Sequence, residues 1–219
     1  MNPTPEMRQL MRYPNLEMDA TLAELVAQTP HFHLPVIGGA DLRDQPQTLM
    51  AQSRIPIVPS IFGFTSFDGG GTLAGAGYTP QTFMARFADP AAIRAQYATD
   101  FAVSELQGAE RVFGDRRYGL SARAAARAIT ANGGSAWLFY VTGPTNGDAG
   151  VRHGAYYRQL FSEHATRPLP LGQYLLNFAR TGQINVAGLP NWPMHDARTD
   201  QSMVFDPVPQ SSTGGAKRP

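Results

Sequence analysis

The 219 residues suffice for one domain with a sizeable core, or for half of a larger one. Hydrophobic residues make up 42% and charged residues 16%, the balance of a folded chain and not of a disordered one. Lys and Arg total 18 against 17 Asp and Glu, so the net charge of +1 leaves no electrostatic footprint for nucleic acid or an anionic membrane, and the absence of cysteine excludes disulfides, thiolate metal ligands and a cysteine nucleophile.

In chain order, the start Met1-Asn2-Pro3-Thr4-Pro5 has no apolar signal core, and no apolar run approaches the roughly 20 residues that span a bilayer. No membrane partner is expected, and a cytoplasmic chain is the default. Thr21-x-x-Glu24, followed by Leu25 and Val26, is a capping-box pattern that predicts a short helix near 21–28. Leu34-Pro35-Val36-Ile37-Gly38-Gly39 reads as an extended segment entering a turn. Ile55-Pro56-Ile57-Val58-Pro59-Ser60-Ile61-Phe62 is short, apolar and β-branched, as a strand buried on both faces should be. Its prolines place the paired part at 57–62. A glycine-rich loop, Gly63 to Gly71, follows and holds Asp68.

The stretch 79–131 reads mostly helical. Thr79 caps with Pro80 at the first helical position, and Phe83 and Phe87 share a face. Ser121 is the expected cap of the run 122–131, which Asn132-Gly133-Gly134 ends. Ala136-Trp137-Leu138-Phe139-Tyr140-Val141 is a second buried-strand candidate, and the turn-rich loop after it reaches His153. A helix around 171–180 puts Leu171, Leu175, Phe178 and Ala179 on one face, with Gly182 as its stop. The tail from Pro207 on reads as disordered.

Two buried strands therefore each lead into a loop with one polar candidate, Asp68 and then His153. In open α/β sheets, sites form beyond the carboxyl ends of the strands. Acid before histidine is also the order of the last two members of an α/β-hydrolase triad. As a lone turn residue Asp68 would need no function, and His153 would ordinarily be an exposed loop histidine. His31 and His33 alternate as on a strand and His195 adjoins Asp196, but neither pair has a third ligand at a usual spacing, so no metal is expected. Gly69-Gly70-Gly71 lacks the lysine and Ser/Thr of a phosphate cradle, and no cofactor is expected.

The words around these residues resemble the C-terminal part of the type-B carboxylesterases, the family of the para-nitrobenzyl esterases and cholinesterases. Pro56 to Gly69, with Gly63-Phe64-Thr65-Ser66-Phe67-Asp68-Gly69, is similar to an apolar strand entering a Gly-x-Asn-x-Asp-Glu-Gly loop. Gly150-Val151-Arg152-His153-Gly154-Ala155 is similar to a Gly-x-x-His-Gly loop. Asn177-Phe178-Ala179-Arg180-Thr181-Gly182, then Asn185 and Trp192-Pro193, is similar to the family's late helix and Trp-Pro ending.

The resemblance, from about Leu34 to Phe205, implies the C-terminal portion of an α/β-hydrolase fold: the last strands of the central sheet with flanking helices. Residues 1–206 would be that part of a carboxylesterase domain, with 207–219 a disordered tail. It places His153 at the catalytic histidine and Asp68 at the catalytic acid, and it implies a small-molecule carboxylic ester as substrate.

Asp68 stands where the family more often has Glu, a reach shorter by roughly 1.5 Å, and Tyr156 stands where a Glu commonly follows the His-Gly word. No Gly-x-Ser-x-Gly occurs; Gly119-Leu120-Ser121-Ala122-Arg123 fails at its last position. The resemblance puts the nucleophile elbow and oxyanion loop ahead of this chain, so a separate N-terminal half is the expected partner. The chain alone is expected to be inactive. A non-catalytic carboxylesterase-like binding module and a truncated gene product remain the alternatives.

Overall fold

The computed structural model describes residues 37–143, 149–157, 160, 170–206 and 208–213. The chain divides into two compact units, 1–48 and 49–219. The expected helix near 21–28, and His31 and His33, lie outside the described residues. In the first unit, turns from residue 37 lead to helix α1 (Pro46–Ala51), which runs across the boundary. The second unit carries the sheet and both candidate residues.

Strand β1 spans Ser60–Thr65, three residues later than the 57–62 expected. Pro59 has no N–H to give a ladder, and the next residue, Ser60, donates to the Ser135 carbonyl at 3.0 Å. Gly63-Phe64-Thr65, expected in the loop, completes the strand. Strand β2 (Ala136–Val141) lies where the apolar run predicts and pairs with β1 in parallel, Ser60 opposite Ala136 and Thr65 opposite Val141. Two further strands complete the sheet: β3 (Ser202–Asp206), parallel to β2, and β4 (Val208–Ser212), antiparallel to β3. The order is β1-β2-β3-β4. The expectation of a disordered tail from Pro207 is thus corrected over 208–212. Pro209 sits in an edge strand, where a missing N–H costs no internal ladder bond.

Both faces of the parallel strands are covered. Phe64, Leu138 and Tyr140 pack with Ala122, Ala126 and Ile129 of helix α7 (Leu120–Ala131). The opposite face, with Phe139, Val141, Met203 and Phe205, packs on Leu171 and Tyr174 of helix α8 (Leu171–Thr181) and on Trp192. Leu175 and Phe178 join this core as expected, whereas Ala179 is exposed and Tyr174 fills the buried position. Gly182, at φ 73°, ends α8 in the left-handed conformation that glycine adopts without strain.

Between β1 and β2 run α2 (Thr72–Gly75), α3 (Pro80–Met84), α4 (Pro90–Gln96), α5 (Ala98–Val103) and α6 (Glu105–Gly114). Thr79 and Thr82 form the capping box of α3, and Phe83 meets Phe87 edge to face at 5.3 Å. Leu73, Phe83, Met84, Ala109, Val112 and Phe113 close a third apolar cluster. A π-helical turn, Asp115–Gly119, joins α6 to α7 without a break, marked by the Leu120 N–H donating to the Asp115 carbonyl five residues back. Ser121 therefore lies inside a continuous helix and caps nothing, contrary to expectation.

Candidate active site

Asp68 and His153, 85 residues apart in sequence, meet at the carboxyl ends of β1 and β2. His153 Nδ1 lies 2.9 Å from Asp68 Oδ1. Asp68 is 4% exposed, and its other oxygen accepts the Thr65 backbone N–H at 2.6 Å. An ionised carboxylate only accepts, so Nδ1 carries the proton and donates. In the neutral ring that leaves Nε2 as the basic nitrogen. The His153 side chain is 49% exposed, and among the described residues Nε2 has no hydrogen-bond partner.

The shorter acid reaches its partner because the two loops continue the parallel pairing. Ser66 donates its N–H to the Val141 carbonyl at 2.9 Å, and Phe67 donates to the Val151 carbonyl at 2.8 Å. Val151 in turn donates to Ser66 Oγ at 2.9 Å, and Phe67 and Arg152 form an isolated parallel bridge. Each loop thus begins in register with the other. On the helix side, a Cβ on Gly69 would lie 1.7 Å from the Glu110 carbonyl oxygen. Only a residue without a side chain lets α6 come so close, so the glycine-rich loop is a packing surface. Glu110 Oε1 also accepts the Gly71 N–H at 2.8 Å.

Several contributors to the site escape a reading of the sequence. Tyr118, in the π-turn, stacks on the imidazole with centroids 4.4 Å apart and planes 25° from parallel. Arg111 of α6 is buried against both loops. Its Nη2 donates to the Ala149 carbonyl at 2.6 Å and its Nη1 to the Ser66 carbonyl. The available signal was a lone cation among Gly108, Ala109, Val112 and Phe113 on the buried side of an amphipathic helix. Tyr156 packs edge to face on Phe139 at 5.7 Å and lies against Tyr157 at 4.6 Å. Burial first, and then the hydrogen bond it shares with Tyr157, hold its phenol well above the ordinary value; the Asp68 carboxylate pushes the same way.

The other residues weighed in the sequence do not join this site. His195 is buried and donates from Nδ1 to the Gln201 carbonyl at 3.2 Å, while Asp196 accepts the Arg198 N–H at 2.7 Å. Among the described residues, no three His, Asp or Glu side chains gather as a metal would need. An open cavity of about 300 Å³ lies beside the π-turn, lined by Phe64, Tyr97, Asp115 and Arg123 among others, and neither Asp68 nor His153 borders it.

Fold and site together define a mostly parallel α/β sheet bearing a carboxylate–imidazole pair at the ends of adjacent strands. No protein-family model matches the sequence, and no curated protein sequence matches it. Among solved structures, the chain is similar to the carboxylesterase EST55 of Geobacillus stearothermophilus, with a TM-score of 0.66 and 18% identity over 94% of this chain. The fold is therefore carboxylesterase-like, and the chain spans about half (48%) of that protein's length.

Proposed function

We propose that this chain is the C-terminal part of a type-B carboxylesterase, supplying the acid and the base of a Ser-Asp-His triad that hydrolyses carboxylic esters. The observation that carries the reading is the 2.9 Å contact between Asp68 and His153, with Nε2 open to an incoming group. In such a triad the carboxylate fixes the imidazole tautomer. Nε2 then takes the proton of a serine hydroxyl and returns it to the leaving alcohol. The carboxylesterase-like fold supports this assignment, as do the strand-loop, Gly-x-x-His-Gly and late-helix words of the sequence.

The nucleophile and the oxyanion donors come from a second segment, since the sequence holds no Gly-x-Ser-x-Gly. Strand β1 offers a place for it: among the described residues it pairs on one side only, with β2.

The test is to co-express the chain with a segment carrying Gly-x-Ser-x-Gly, encoded immediately upstream or separately, and to follow hydrolysis of a short-chain nitrophenyl ester. The chain alone should be inactive and the pair active. His153→Ala should lower turnover by on the order of 10⁴-fold, and Asp68→Asn by a similar factor. Turnover indifferent to both substitutions, or no turnover with any such segment, would sink the reading.

A further inference from the structure

A charge taken out of water is costly unless several hydrogen bonds absorb it. Arg111 is 8% exposed, on a helix side that otherwise presents small and apolar residues. Its guanidinium is fully engaged in three directions. Nε donates to Asp100 Oδ1 at 2.9 Å, Nη2 to the Ala149 carbonyl at 2.6 Å, and Nη1 to the Ser66 carbonyl. Its Cζ also stands 4.6 Å from the centroid of the Phe67 ring. Gln107 donates to the same Asp100 oxygen at 3.2 Å, so the carboxylate that aims the guanidinium is itself held.

The two carbonyls belong to different loops. Ser66 precedes Asp68 by two residues, and Ala149 precedes His153 by four. Among the described residues, Arg111 is the donor these two carbonyls share at the point where the regular ladder ends. A planar fork with fixed angles between its N–H groups sets the separation of what it binds, which a flexible ammonium does not.

We propose that Arg111 is a positioning residue whose fork sets the spacing of the acid loop and the histidine loop, so that Asp68 and His153 meet at hydrogen-bond distance. The inference rests on reading that pair as functional. Arg111 acts through the loop backbones and touches neither reacting side chain. Asp100 sets the plane of the fork, and Phe67 supports its face.

Proton NMR of the full chain tests this, because a histidine Nδ1–H held by a carboxylate exchanges slowly and resonates far downfield. The wild-type chain should show one such signal, lost in Asp68→Asn. In Arg111→Lys and Arg111→Met the signal should disappear, or its exchange should quicken by about tenfold or more as one hydrogen bond's worth of restraint is lost.

The indole N–H of Trp192, which donates to the Leu138 carbonyl at 3.0 Å in the core, reports in the same spectrum whether the fold persists. Asp100→Asn combined with Arg111→Met removes both charges of that ion pair and should give the same loss with the Trp192 signal in place. A folded Arg111→Met or double variant with the wild-type histidine signal overturns the proposal and leaves the pair standing. A wild-type chain without the signal, or with one that survives Asp68→Asn, overturns the pair itself and the proposal with it.

Discussion

Asp68 and His153 were legible as candidates because each lies in the loop that follows a short apolar run, and a loop after a buried strand is where α/β sheets place polar groups. That the shorter acid reaches the ring was not legible. It depends on the Ser66–Val151 bond and the Phe67–Arg152 bridge, which tie residues about 85 positions apart. Arg111 and Tyr118 stayed hidden for a related reason: their partners in the two loops lie 35 to 45 residues away. No periodicity connects such positions.

At this scale Tyr156 gives a pH prediction. Its phenol titrates higher in the folded chain than the value of about 10 that the unfolded chain has. The stability it lends is complete below that value and drains away as pH rises toward the folded value, because the unfolded chain releases the proton first. Denaturant melts from about pH 8 to about pH 11 should show stability falling at the alkaline end, and Tyr156→Phe should flatten that fall. An identical alkaline slope in the variant would contradict the assignment.

Among the elements, the termini best predicted were those with a stereochemical marker. Thr79-Pro80 opens α3, and Gly182 closes α8. The late-helix word, the most specific in the sequence, is architectural. Asn177 donates to the carbonyls of Gln183 and Asn185 at 2.8 and 2.9 Å, and Asn185 Oδ1 accepts the Trp192 N–H at 2.7 Å. That network delivers Trp192 to the core. Strands β3 and β4 were missed because β3 is five residues long and β4 carries a proline among polar residues. Their stability comes from pairing, which no local pattern announces.

The π-turn was equally silent, yet it sets where Tyr118 points. Deleting Arg116 should restore α-helical spacing and swing Tyr118 by about 100° relative to α6. The stack on His153 should then be lost while helix content holds. The ring-current shift of the imidazole protons, with far-ultraviolet circular dichroism as the control, would show it; an unchanged shift would count against any role for the turn.

For the second unit as a whole, the sequence suggested two buried strands, and the described residues form four with helices over both faces. Its faces are covered, but among the described residues the outer edge of β1 is not. Ser60 and Ser66 direct their N–H groups toward β2, so by alternation Ile61 and Gly63 direct theirs outward. Neither proline nor charge blunts Ser60–Thr65. Ile57 and Val58, just ahead of it, are each 54% exposed. The isolated chain should associate with itself as concentration rises, visible in sedimentation velocity. Ile61→Pro, which removes an outward donor and spares the ladder to β2, should reduce that association. A strictly monomeric chain with a sharp two-state melt would refute the claim.

The bond from the Thr65 N–H to Asp68 Oδ2 has a consequence for whatever lies along that border. A polypeptide zipping onto β1 finds amide hydrogens at Ile61 and Gly63 that no described residue accepts, then meets a carboxylate already holding the next one. The acid that orients the imidazole is also a full stop written into the backbone. An added strand must leave the sheet at that row, beside the ring it would need to reach.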